Sequence, residues 1–76
     1  MNLSKSEIEI LKLLASEDEV NVKDLSEHLG TGIDEMYQTV EILSNHGLVN
    51  FTDTLGRTGQ GIVEISSKGR MKLREM

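Results

Sequence analysis

The stretch Val40-Glu41-Ile42-Leu43-Ser44-Asn45-His46-Gly47-Leu48-Val49-Asn50-Phe51-Thr52 changes its hydrophobic period part-way along. Before Gly47, Met36, Val40 and Leu43 recur at i, i+4 and i+7, the spacing that lines one face of an α-helix. After it, Val49 and Phe51 alternate with Asn50 and Thr52, the two-residue period of a half-buried strand. Gly47 stands at the switch. Glycine enters the left-handed backbone region at no steric cost, and Leu48 behind it supplies the apolar contact of a Schellman helix end. His46, in the last turn, suits the negative end of the helix dipole.

Working outward from this junction towards the C-terminus, Val63 and Ile65 alternate with Glu64 and Ser66. The two alternating runs flank Leu55-Gly56-Arg57-Thr58-Gly59-Gln60-Gly61 and read as a β-hairpin with a long tip. If Val63 and Ile65 face inward, Ile62 falls on the outer face. Ser66 or Ser67 then caps a short last helix that carries Met71 and Leu73.

Towards the N-terminus two more helices are predicted. Ser4 followed by Glu7 is a capping box, and Ile8, Leu11 and Ala15 follow at helical spacing with Ile10 and Leu14 beside them. That helix runs over about residues 5–16 and ends at the acidic turn Glu17-Asp18-Glu19, a solvated loop. Three adjacent carboxylates point different ways and lack a second ligand group, so they make no metal site. Val20-Asn21-Val22 is long enough for a bridging strand only. Asn21 caps the second helix, whose apolar stripe is Val22, Leu25 and Leu29 and whose left-handed terminal residue is Gly30. The third helix starts after Thr31-Gly32, with Thr31, Gly32 or Asp34 as the cap. The expected core centre is Leu11, Leu14, Leu25, Leu29, Met36, Val40, Leu43, Val49 and Val63.

The whole is one small α+β domain over residues 1–76: a three-helix bundle, a hairpin and a short C-terminal helix. A helix pair joined by a tight turn is a helix-turn-helix unit, and the hairpin makes it winged. The sequence resembles winged-helix domains of MarR-type transcriptional regulators and their archaeal relatives. The likeness rests on Leu3-Ser4, on Ile10-Leu11 with Leu14, on Val22-Lys23-Asp24-Leu25-Ser26, on Val40 to Val49, and on Ile65-Ser66-Ser67-Lys68-Gly69-Arg70. It implies a small DNA-binding regulator whose third helix enters the major groove of double-stranded DNA. Gln38 on that helix has the amide that reads adenine, and Tyr37 and Thr39 have hydroxyls for phosphate or base edges.

Charge qualifies this picture. The formal net charge is −5. Residues 1–46 hold three lysines against ten carboxylates, a net −7, and residues 47–76 hold five cations against three carboxylates, a net +2. The third helix has no lysine or arginine and shows Asp34, Glu35 and Glu41. Asp34 and Glu35 suit the positive end of that helix and can accept from cytosine amino groups, but they repel phosphates. A polyanion is therefore drawn to the C-terminal part. Arg57, with Thr58 and Gln60 on the glycine-rich tip, suits a narrow minor groove, unless the glycines merely turn the hairpin around a solvated arginine. Lys68, Arg70, Lys72 and Arg74 add phosphate contacts or keep the last helix soluble. The alternative function is a protein-binding winged helix that uses its acidic helical face. Met71, Leu73 and Met76 on the short last helix have little cover in a monomer, so weak homodimerisation through that helix is an expectation.

Other chemistries find no support. The glycine run joins two strands and lacks the lysine and hydroxyl residue of a phosphate loop. With no cysteine, and with His28 and His46 at the ends of different helices, no zinc site is expected. No serine has a histidine partner, so the chain is read as a non-enzyme without cofactor. The longest apolar run, Ile10 to Ala15, is broken by Lys12, which argues against a membrane span, and the cytoplasm is the expected location. Ile42 lies one residue off the core stripe of its helix, either as peripheral core or as part of an apolar contact patch.

Overall fold

The computed structural model of the chain describes residues 3–52 and 61–75. The order of elements is α1 (Lys5–Glu17), β1 (Glu19–Asn21), α2 (Val22–Leu29), α3 (Ile33–Asn45), β2 (Val49–Thr52), β3 (Ile62–Ile65) and α4 (Ser67–Arg74). This is the α+β winged helix that the switch at Gly47 predicts, with β2 and β3 as the strands of the wing. None of the described helices is long and apolar enough to cross a membrane.

Local chemistry sets the boundaries. The Ser4 hydroxyl accepts from the Glu7 amide at 3.2 Å, and the Glu7 carboxylate accepts from the Ser4 amide at 2.8 Å, which completes the capping box. Asn21 Oδ1 accepts from the Asp24 amide at 2.8 Å to start α2. The acidic cluster is not a loop of its own: Glu17 is the last residue of α1, Asp18 turns the chain at φ 68°, and Glu19 opens β1. At the end of α3, the Gly47 amide donates to Ser44 O and the Leu48 amide to Leu43 O, with Gly47 at φ 75°. These are the paired bonds of a Schellman end.

Two expectations needed correction. Glu19-Val20-Asn21 does more than bridge: it pairs with β3 along its length, Val20 opposite Val63, so β3 is the centre of a three-stranded antiparallel sheet ordered β1-β3-β2. The other side of β3 pairs with β2, Phe51 opposite Val63 and Val49 opposite Ile65. Leu29, at the last position of α2, is only half-buried at the rim of the core. Ile10, Val22, Leu48 and Ile65 are buried instead and enlarge the core around Leu11, Leu14, Leu25, Met36, Val40, Leu43, Val49 and Val63. Ile10 and Leu11 are both fully buried because α1 is covered by β3 as well as by α4.

Candidate nucleic-acid interface

The helix-turn-helix is built on two glycines. Gly30, at φ 69°, closes α2 in a Schellman pattern, its amide donating to Glu27 O and the Thr31 amide to Ser26 O. Of the three candidate caps for α3, the structure uses Gly32, and no side chain caps the helix. The buried Thr31 hydroxyl finds no hydrogen-bond partner among the described residues. The carboxylates of Asp34 and Glu35 lie in the first turn, where negative charge complements the dipole.

From this start α3 buries Met36, Val40 and Leu43 and turns Asp34, Glu35, Gln38, Glu41 and Ile42 to solvent. Tyr37 is half-buried. Its ring meets Phe51 of β2 edge-on, with centroids 5.7 Å apart and planes at 70°. This contact fixes the flank of α3 against the wing. The Phe51 ring in turn covers Gly61: a Cβ on Gly61 would lie 2.8 Å from Phe51 Cζ and 3.3 Å from Val22 Cγ2. The Gly61 carbonyl also accepts from the Val22 amide at 2.9 Å. Gly61, read in the sequence as part of a turning tip, is thus the point where the wing packs on the start of α2.

The residues singled out from sequence divide into separate groups. Tyr37 and Gln38 share α3, with Gln38 exposed. Thr39 is on the same helix but half-buried, and its hydroxyl donates to Glu35 O at 3.1 Å, a bond within the helix. Lys68 and Arg70 sit on α4. The Lys68 stem lies across Gly47, with Cδ 3.6 Å from where a Cβ on that glycine would stand. His46, expected in the last turn of α3, is its C-cap instead, and that last turn has no basic residue, so the Lys68 ammonium is the cation at the C-terminal end of the helix. Arg70 pairs with Asp18 at 3.8 Å, at the far end of α1. Asp18 is 90% exposed, so this pair contributes little to stability and leaves the guanidinium free to exchange partners. Arg57, Thr58 and Gln60 lie outside the described residues.

Sequence reasoning left the role of Ile42 open. Its side chain is 47% exposed on the outer face of α3, one turn beyond Gln38, so it is not core. Only its displacement from the i, i+4, i+7 stripe signalled this.

The model of the HVO_A0114 family matches residues 2–67, most of the chain. The chain belongs to the HVO_A0114 family. No curated protein matches it. Among solved structures, this family member is similar to the transcriptional regulator BldR from Sulfolobus solfataricus, at 32% identity and TM-score 0.83 over 99% of this chain and 53% of that one. It is also similar to the multiple antibiotic-resistance repressor MarR from Listeria monocytogenes, at 19% identity and TM-score 0.85 over 97% of this chain and 49% of that one. A third likeness is to a C80S mutant of MarR from E. coli complexed with operator DNA, at 11% identity and TM-score 0.82, covering 97% and 53%. The fold is the MarR-type winged helix. The chain spans about half the length of the proteins it resembles, and those named here are transcriptional regulators and repressors.

Proposed function

We propose that this chain is a DNA-binding winged helix of a transcriptional regulator. The observation that carries the reading is the likeness over 97% of the chain to a MarR protein held on operator DNA. In this reading α3 lies in the major groove, with Gln38 and Tyr37 towards bases and phosphates. Thr39 adds a phosphate contact only when it gives up its bond to Glu35 O. Arg57, with Thr58 and Gln60, enters the minor groove, and Lys68 and Arg70 approach phosphates from α4, Arg70 exchanging Asp18 for a phosphate oxygen.

Since α3 offers no cation, few phosphates are neutralised. With roughly two to four contacts, the logarithm of affinity for a labelled duplex falls against the logarithm of salt concentration with a slope of about −2 to −4. Arg57→Ala weakens binding to every sequence, with extra loss on AT-rich duplexes. A steep slope near −8, or no effect of Arg57→Ala, would reject this assignment of contacts.

One observation supports a second reading, a protein partner: Asp34, Glu35 and Glu41 are all exposed on α3. That reading requires negligible duplex affinity at low salt and a partner lost when Asp34 and Glu35 are neutralised. Self-association is part of either reading. Met71 of α4 is 58% exposed and Leu73 is half-buried, so a second copy would cover apolar surface there. Sedimentation showing a pure monomer at high concentration would exclude a homodimer through α4.

A further inference from the structure

Ile42 and Met71 are the two exposed large hydrophobic residues among those described, and Ile42 stands on the helix read above as the DNA-reading element. A β-branched side chain 47% open to water on that face contributes nothing to the core formed by Met36, Val40 and Leu43. Residues four apart on a helix lie one above the other on the same face. Gln38 and Ile42 therefore form one short row, an amide followed by a methyl-bearing apolar surface. Their neighbours on the outer face, Asp34, Glu35 and Glu41, are acidic. The row is an uncharged strip on an otherwise largely acidic face.

We infer that Ile42 is a specificity-determining residue that packs on the 5-methyl group of a thymine, next to an adenine read by Gln38. The inference rests on the DNA-binding reading above. In the major groove the thymine methyl is the apolar feature of the base edges, and adenine presents the N6 donor and N7 acceptor that a Gln amide matches in pairs. Four helical residues rise about 6 Å, which spans about two base-pair steps of 3.4 Å. The thymine and the adenine are thus within two steps of each other. Both contacts are neutral, which fits a helix that has no cation to read guanine.

The test removes one methyl group from the DNA and one side chain from the protein. Duplexes that bind the intact chain are selected from a random pool, and each thymine in the selected site is replaced in turn by uracil, which keeps the hydrogen-bonding edge and lacks the methyl. At one position, within two base-pair steps of the adenine whose choice Gln38→Ala relaxes, uracil should weaken binding about fourfold, the worth of one buried methyl group. Ile42→Ala and Ile42→Thr should bind the thymine duplex more weakly and lose the thymine-over-uracil preference. The same variants should melt as the parent does, because the side chain is exposed. Gln38→Ala should keep the uracil effect and relax the choice of adenine. Equal affinity for thymine and uracil at every position overturns the inference, as does a uracil effect that persists in Ile42→Ala. So does an Ile42→Ala variant that loses self-association while its DNA preferences stay intact, which would give Ile42 a protein contact. Absence of any duplex binding by the parent chain is a different failure, that of the DNA-binding reading itself.

Discussion

Helices α3 and α4 are held to the molecule in opposite ways. α3 is attached by side chains: Met36, Val40 and Leu43 fill the core and the opposite face is polar apart from Ile42. α4 is attached largely by its backbone: Gly69 is its one buried residue, and Leu73 is the half-buried side chain that packs on the core. A Cβ on Gly69 would lie 2.8 Å from Ile65 Cγ1 and closer still to the Leu48 carbonyl oxygen. Ser66 completes the attachment, its hydroxyl donating to Gly47 O at 2.6 Å and accepting from the Gly69 amide at 3.0 Å. A missing side chain, like a large one, can therefore set where a helix docks. Such docking leaves its outer surface free, here for Lys68, Arg70 and Arg74, all exposed.

The contrast is broken most directly by removing the largest side-chain anchor. Leu43 is fully buried on α3's inward face, near its C-terminal end. Leu43→Ala should destabilise the fold by about 2–5 kcal/mol, the usual cost of a leucine-sized cavity. Denaturant titration checks this, and a loss under about 0.5 kcal/mol, the scale of surface changes, would mean that α3 is not held through this face.

On α4 the informative change adds atoms instead. Gly69→Ala improves helix propensity by about 1 kcal/mol, yet the new methyl group meets backbone that cannot move aside. A net destabilisation of about 1–3 kcal/mol is expected from the overpacking. A stabilised variant would show that α4 does not press on Leu48. Ser66→Ala leaves space unchanged and removes the cap along with the link to Gly47. The expected loss is about 1 kcal/mol, read as a lower melting temperature. Gly69→Ala should exceed Ser66→Ala if close approach, rather than capping, is the main attachment.

The same contrast explains what the sequence discloses. α1 and α3 are legible because apolar residues at 3.6-residue spacing record what they bury, and the hairpin because Val49, Phe51, Val63 and Ile65 keep a period of two. The closing role of Gly30 is legible too, since the left-handed region selects for glycine. The burial of Gly69 and the packing of Gly61 between Phe51 and Val22 are not legible, because a missing side chain has the same letter at a turn and at a tight contact. β1 is hidden for another reason: three residues are too few to show a period, and its pairing partner lies more than forty residues away. Of the candidate site, Gln38 and Tyr37 come straight from the helical wheel. The engagement of Arg70 with Asp18 depends on the docking angle of α4 and has no local signature.

The smallest expected effects sharpen the comparison at the other end of α3. Asp34 and Glu35 serve two opposed ends. They favour the helix, whose first turn has no side-chain cap, and they disfavour phosphate near that turn. Replacing both by their amides, Asp34→Asn with Glu35→Gln, removes charge and preserves shape. At low salt, stability should fall by about 0.3–1 kcal/mol for each carboxylate lost, as expected for exposed charges near a helix N-terminus. Affinity for non-specific duplex should rise, because two repelling charges leave the groove-facing end of the helix. Added salt should shrink both changes, since both are electrostatic and the groups are exposed. The two readouts moving in opposite directions would show that the acidic turn trades DNA affinity for helix stability. If stability falls while duplex affinity stays fixed, α3 does not face the phosphates, and the acidic face has another partner.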